Sequence, residues 1–274
     1  MSSLTERALT FLTPDDPGGD GRFGRFEAGL LVTIAVGLTF MQFAGSEGTF
    51  LWLYGDLLTS AARATQALPP DMIELIGPRD YTYYHMLCLV HWVACCLVGY
   101  VLMPCIYLRL MDHQLSDLYL GAGELPKHLK VYIALYLLVI IPVIIVSFTE
   151  EYQRIYPFYP DAGRSVFDLV AWELCYGVQF FALEFMFRGV MLAGLKRWLG
   201  IGAVFVMLVP YCMLHFMKTG SESLGAIIAG VILGCLAMKY RSIWGGVLLH
   251  WLVAISMDVL SLLHQSKLPS RLLP

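Results

Sequence analysis

Residues 172–196 read WELCYGVQFFALEFMFRGVMLAGLK. A bilayer span needs about 20 mostly apolar residues, and this run supplies them while also carrying Glu173, Glu184 and Arg188. Backbone polar groups in lipid must be satisfied within the segment, so the run is read as a helix. Glu184 and Arg188 are four apart and share one helix face, where they can pair. Ionisable side chains inside a span are costly unless they pair or face a cavity. This stretch therefore marks the centre of a helical membrane bundle and of its chemistry.

The rest of the chain agrees. Of its 274 residues, 58% are hydrophobic and 14% charged, against roughly 45–50% and about 25% in a soluble domain. Mean hydropathy is +0.68. These values exclude a soluble enzyme and a disordered chain, and the net charge of −3 gives no basic footprint for nucleic acid. The expected fold is all-α: a polytopic membrane helix bundle with seven transmembrane helices, near 27–45, 83–106, 129–148, 172–196, 200–217, 222–238 and 243–263. Segment 50–68 is apolar but interrupted by Asp56 and Arg63, which suits an interfacial helix lying on the membrane. In the sixth span Ala226, Gly230 and Gly234 recur every fourth residue and let a neighbouring helix approach closely.

Seven spans place 11 of the 18 Lys and Arg residues on the side of the N-terminal tail, which favours a cytoplasmic N-terminus. The tail carries both charge signs and a turn run at Pro14–Gly19, and reads as retained rather than as a signal peptide. The seven cysteines lie in or beside apolar blocks and are read as free thiols packed as small hydrophobes.

His215 lies in the fifth span, and His250 and Asp258 in the seventh. At 1.5 Å per residue, Glu184 sits roughly 18 Å from the N-tail side, His215 roughly 22 Å and His250 roughly 13 Å. One carboxylate and two imidazoles on three helices thus share a central band. Pro210, just before Tyr211 and His215, adds a kink and room for water. Such a group suits hydrolysis. A desolvated carboxylate held by Arg188 can act as general base, one neutral His can orient the water, and a second can stabilise the oxyanion. Blander readings apply elsewhere. His91 suits a helix–helix hydrogen bond, Glu173 and Asp258 suit packing or water-lining roles, and Lys218 with Glu222 suits a solvated loop pair.

Leu183-Glu184-Phe185-Met186-Phe187-Arg188-Gly189, then Tyr211-x-x-x-His215, then His250 in the last helix, resembles the CAAX protease and bacteriocin-processing (Abi) family of intramembrane glutamic proteases. That family carries E-E-x-x-x-R, F-x-x-x-H and H-x-x-x-N or D on successive helices. The resemblance covers about residues 165–265. It implies a protease core there, between membrane helices and loops at 27–164 and a short tail at 266–274, with an N-terminal cytoplasmic tail at 1–26. The family's first glutamate falls on Leu183, its Phe on Tyr211 and its final Asn or Asp on Ala254.

What carries over is Glu184 as base, Arg188 holding it, His215 positioning the water and His250 at the oxyanion. The Tyr211 hydroxyl is a candidate replacement for the missing donor. The resemblance implies an endopeptidase acting near the C-terminus of a membrane-embedded or lipid-anchored protein. It implies no cofactor or metal, and a multi-pass setting in the plasma (inner) membrane of a bacterium. Three other readings compete: a catalytically inactive relative that binds a membrane partner, a zinc protease using Glu184, His215 and His250, and a transporter. The transporter lacks support from repeated halves or paired broken helices.

Overall fold

The computed structural model describes residues 23–66, 70–122 and 125–274. Among them the chain is helical, with one isolated bridge pairing Leu120 and Ser242. Pieces of six residues or fewer aside, the elements are α1 (Arg25–Ala44), α2 (Glu47–Thr65), α3 (Tyr84–Leu110), α4 (Leu125–Val146), α5 (Val166–Leu199), α6 (Gly202–Met213), α7 (Gly220–Tyr240) and α8 (Trp244–His264). Six of these, all but α2 and α6, are long and apolar enough to cross a membrane. The protein is a polytopic helical membrane bundle. Most of the tail read at 1–26 lies outside the described residues.

The fifth expected span is the one that differs. Read as 200–217, it is a helix only over Gly202–Met213, about 18 Å of rise. The cause is local. The His215 ring nitrogen Nδ1 takes the Tyr211 carbonyl (3.1 Å) that a continuing helix would have given to the His215 amide. That amide turns to the Cys212 carbonyl instead, and the Ser223 hydroxyl takes the carbonyl of His215. The segment still joins the two ends of the bundle. Trp198, just before it, packs on Phe23, while Lys218, just after it, reaches Tyr156 at the other end. Pro210 sits within the helix without ending it.

α5 is the axis of the fold. Its apolar window is 72% buried, against 11% for α4. The main core gathers Leu30 and Ile34 of α1, Tyr100 of α3, Phe187 and Val190 of α5, Met207 of α6 and Met238 of α7. Both α3 and α5 contain a π-helical stretch, Leu97–Leu102 and Phe185–Leu192, and these pack together through Tyr100 and Phe187. Glycine sets the closest approach. A side chain at Gly37 of α1 or Gly99 of α3 would run into the other's carbonyl oxygen, so the two backbones touch, as small residues permit in membrane helices. The Ala226, Gly230, Gly234 stripe does face a neighbour: Gly230 lies against Leu208 and Tyr211 of α6, and Gly234 against Val204.

α2 is anchored rather than inserted. Glu47 pairs with Arg79 at 3.0 Å and accepts from the Tyr84 hydroxyl at 2.6 Å, and Arg63 donates to the Glu74 and Ile76 carbonyls. Trp52, Leu53 and Leu57 remain exposed, the arrangement an interfacial helix needs. His91, read as a helix-joining group, accepts that role by bonding the Ala44 carbonyl at the end of α1 (2.8 Å).

Candidate active site

Glu184 closes the α-helical part of α5, and the π-helical stretch that follows carries Arg188. Arg188 Nη1 lies 3.0 Å from Glu184 Oε1, and both side chains are fully buried. Across the interface, His250 of α8 brings Nδ1 to 2.9 Å from the same oxygen. α8 can come this near because residue 246 is glycine. A Cβ there would collide with Glu184 Oε2. The next glycine toward the N-terminus, Gly245, makes room for the Tyr132 ring of α4.

From α6, the Tyr211 hydroxyl lies 2.8 Å from His250 Nε2. The Arg188 guanidinium stands 4.2 Å over the Tyr211 ring, at cation–π distance. Phe180, one turn before Glu184 on α5, stacks on the His250 ring with planes 6° apart and fixes its orientation. His215 joins through Tyr211, with ring centroids 5.0 Å apart and its Nδ1 on the Tyr211 carbonyl. A carbonyl can only accept, so in neutral His215 Nδ1 carries the proton and Nε2 is a bare acceptor.

The structure thus gathers Glu184, Arg188, Tyr211 and His250 into one buried contact set, with His215 beside Tyr211. The separations around Glu184 are those of ion pairs, yet the approaches are off-axis. Both carboxylate oxygens, all three guanidinium nitrogens and His250 Nδ1 lack a well-aligned hydrogen bond. Buried polar atoms are almost always satisfied, and exceptions concentrate where function needs them. Catalytic hydrogen bonds commonly tighten only once substrate is bound. Among the described residues, no three His, Cys, Asp or Glu side chains are arranged to hold a metal ion.

Residues 166–256 match the family model described as Rce1-like, Type II CAAX prenyl endopeptidase Rce1-like. This match supports the CAAX protease resemblance over that third of the chain. No curated protein and no solved structure matches the chain. The matched segment contains Glu184, Arg188, Tyr211, His215 and His250. Besides Tyr211, it contains the other two departures from the motif pattern, Leu183 and Ala254. Leu183 is buried in the main core, and Ala254 packs in a second apolar cluster with Trp172 and Tyr176.

The structure adds residues that the motif reading passed over. Phe180 and Gly246 each sit one turn from a motif residue, at Glu184 and His250, and that spacing was a signal available in the sequence. Gly230, on which the Tyr211 ring rests, belongs to another helix and gave no such signal.

Asp258 and Glu173 occupy a separate polar cluster. Asp258 accepts from the Phe158 amide at 2.8 Å and from the Trp172 indole at 2.9 Å, pinning the 156–164 segment onto α5 and α8. Glu173 lies beside it. Lys218 and Glu222 are not a simple solvated pair. Lys218 donates to the Tyr156 hydroxyl at 3.1 Å, and that hydroxyl donates to Glu222. Asp258→Ala leaves two buried donors unsatisfied. At about 1.5–3 kcal/mol per hydrogen bond to a charged group, less some relief of repulsion from Glu173, unfolding in detergent should show a loss of about 3 kcal/mol. Asp258→Asn, which keeps one acceptor oxygen, should lose about half of that.

Proposed function

We propose that the chain is an intramembrane endopeptidase that hydrolyses a peptide bond near the C-terminus of a membrane-embedded or lipid-anchored protein. The observation that carries this reading is Glu184, held in the bundle interior within 3.0 Å of both Arg188 and His250, inside the segment that matches the prenyl endopeptidase family. The protein lies in the membrane of its cell, in our reading the bacterial plasma membrane, with the N-terminus cytoplasmic.

Glu184 can only accept, so its carboxylate 2.9 Å from Nδ1 favours the His250 proton on that nitrogen and leaves Nε2 as the acceptor. The basicity of the buried carboxylate, expected from the sequence to act directly on water, is in this reading expressed through the ring, and His250 takes the proton instead of serving the oxyanion. Glu184 stabilises the imidazolium formed when His250 takes a proton, as the orienting acid does in a catalytic triad. His215, with Nε2 bare, positions the attacking water. Arg188 supplies positive charge against which the oxyanion develops.

The test uses purified chain in lipid vesicles with two quenched-fluorescent probes. One ends in a prenylated CAAX sequence; the other is an unprenylated single-span peptide. Wild type should cleave at least one, and His215→Ala should cleave it about 100-fold more slowly. Saturable binding of both probes without cleavage of either would instead favour the inactive, partner-binding alternative and overturn the protease.

A further inference from the structure

Tyr211 carries a hydroxyl that the phenylalanine of the motif it resembles would lack. That hydroxyl is fully committed. A proton on His250 Nδ1, the nitrogen beside Glu184, leaves the lone pair on Nε2, and in that tautomer Tyr211 donates the 2.8 Å bond and His250 accepts it. Carboxylate, imidazole and hydroxyl therefore stand in sequence, the first link a 2.9 Å ion-pair contact and the second a 2.8 Å hydrogen bond. In that order the hydroxyl can release its proton to the ring while the carboxylate stabilises the resulting cation. The ring is held firmly. Tyr211 is 1% exposed, rests on the Gly230 backbone and packs edge-on against Phe187. The Arg188 guanidinium over its face favours negative charge on the phenol oxygen. A tyrosine kept for packing alone would need none of this alignment, since phenylalanine fills the same space.

We propose that Tyr211 is a catalytic residue, the terminal group of a Glu184–His250–Tyr211 proton relay. The proposal rests on the protease reading above. In the first step a water O–H bond breaks and its proton passes to Tyr211 Oη, while the tyrosine's own proton passes to His250 Nε2. The water oxygen bonds to the substrate carbonyl carbon, and the C=O electron pair moves onto its oxygen. In the second step that pair re-forms the carbonyl and the C–N bond breaks. The amine nitrogen takes a proton from Tyr211, which recovers its own from His250. Water is consumed, a carboxylic acid and an amine are released, and all three relay groups return to their starting state.

The groups facing Tyr211 are Arg188 and Glu184 of α5, His250 of α8, His215 of its own segment and, farther off, Glu222 of α7. The experiment compares wild type, Tyr211→Phe and protein carrying mono- and difluorotyrosine at position 211, on whichever vesicle probe wild type cleaves. Tyr211→Phe should keep the wild-type melting curve and KM while kcat falls about 100-fold, as expected for loss of one general acid–base group. The relay needs the phenol protonated, and fluorination makes it more acidic, so the alkaline limb of the kcat profile should move to lower pH in step with it. A hydroxyl that only braces His250 would not move that limb. Wild-type kcat in Tyr211→Phe, or an unmoved limb in the fluorinated proteins, overturns the relay and leaves the protease standing. Failure of folded wild type to cleave either probe removes the protease reading, and the relay with it. Should Tyr211→Phe not fold, the fluorinated proteins decide.

Discussion

Glu184→Gln should lower kcat by about 10,000-fold, the scale seen when the acid that orients a catalytic imidazole becomes an amide. Glutamine is nearly isosteric, but it cannot stabilise an imidazolium at His250, and it leaves the buried Arg188 charge without its partner. Breaking a buried ion pair from one side costs about 3–5 kcal/mol, so the single variant should also melt earlier. The double variant Glu184→Gln/Arg188→Met separates the two effects. It removes both charges, since Met fills much of the guanidinium's space, and should recover most of the stability. Cleavage should not return. Full cleavage by either variant would take Glu184 out of the chemistry.

Gly246→Ala carries the second large effect, and its sign runs against helix propensity. In an exposed helix interior this change would stabilise by about 1 kcal/mol. Here the added methyl enters the space of Glu184 Oε2, and the carboxylate cannot retreat because Arg188 and His250 hold it. Overpacking should cost about 1–3 kcal/mol. Displacing the carboxylate by even about 1 Å can cost about 100-fold in rate. Gly225→Ala is the control. That glycine also lies within a membrane helix but meets nothing within 4 Å, so it should melt at or above the wild-type temperature and cleave normally. Equal behaviour of the two variants would mean that α8 does not press on Glu184.

Much of this was legible residue by residue. Apolar length gave the spans, because lipid leaves a backbone no alternative to the helix. The Glu184–Arg188 pair followed from a spacing of four. The fifth span was less legible. Hydropathy cannot register that the His215 side chain takes the Tyr211 carbonyl from the helix ladder, so a block read to 217 ends its helix at Met213. Lys218 and Glu222 also read differently. In sequence they are a loop pair, but Tyr156, 62 residues before Lys218 and 66 before Glu222, stands between them.

The sequence by itself determined that the chain is a membrane bundle, that charge is buried in its central helix, and that an acid and two imidazoles lie at comparable depths. Those properties depend on composition and on spacing within single helices. Which partners meet was decided by tertiary structure. Glu184 meets His250 because a glycine on α8 admits its carboxylate. Tyr211, and not His215, bonds His250 because Gly230 of α7 sets the seat of its ring. Contacts between helices depend on how closely two backbones approach, and no periodicity within one segment records that distance.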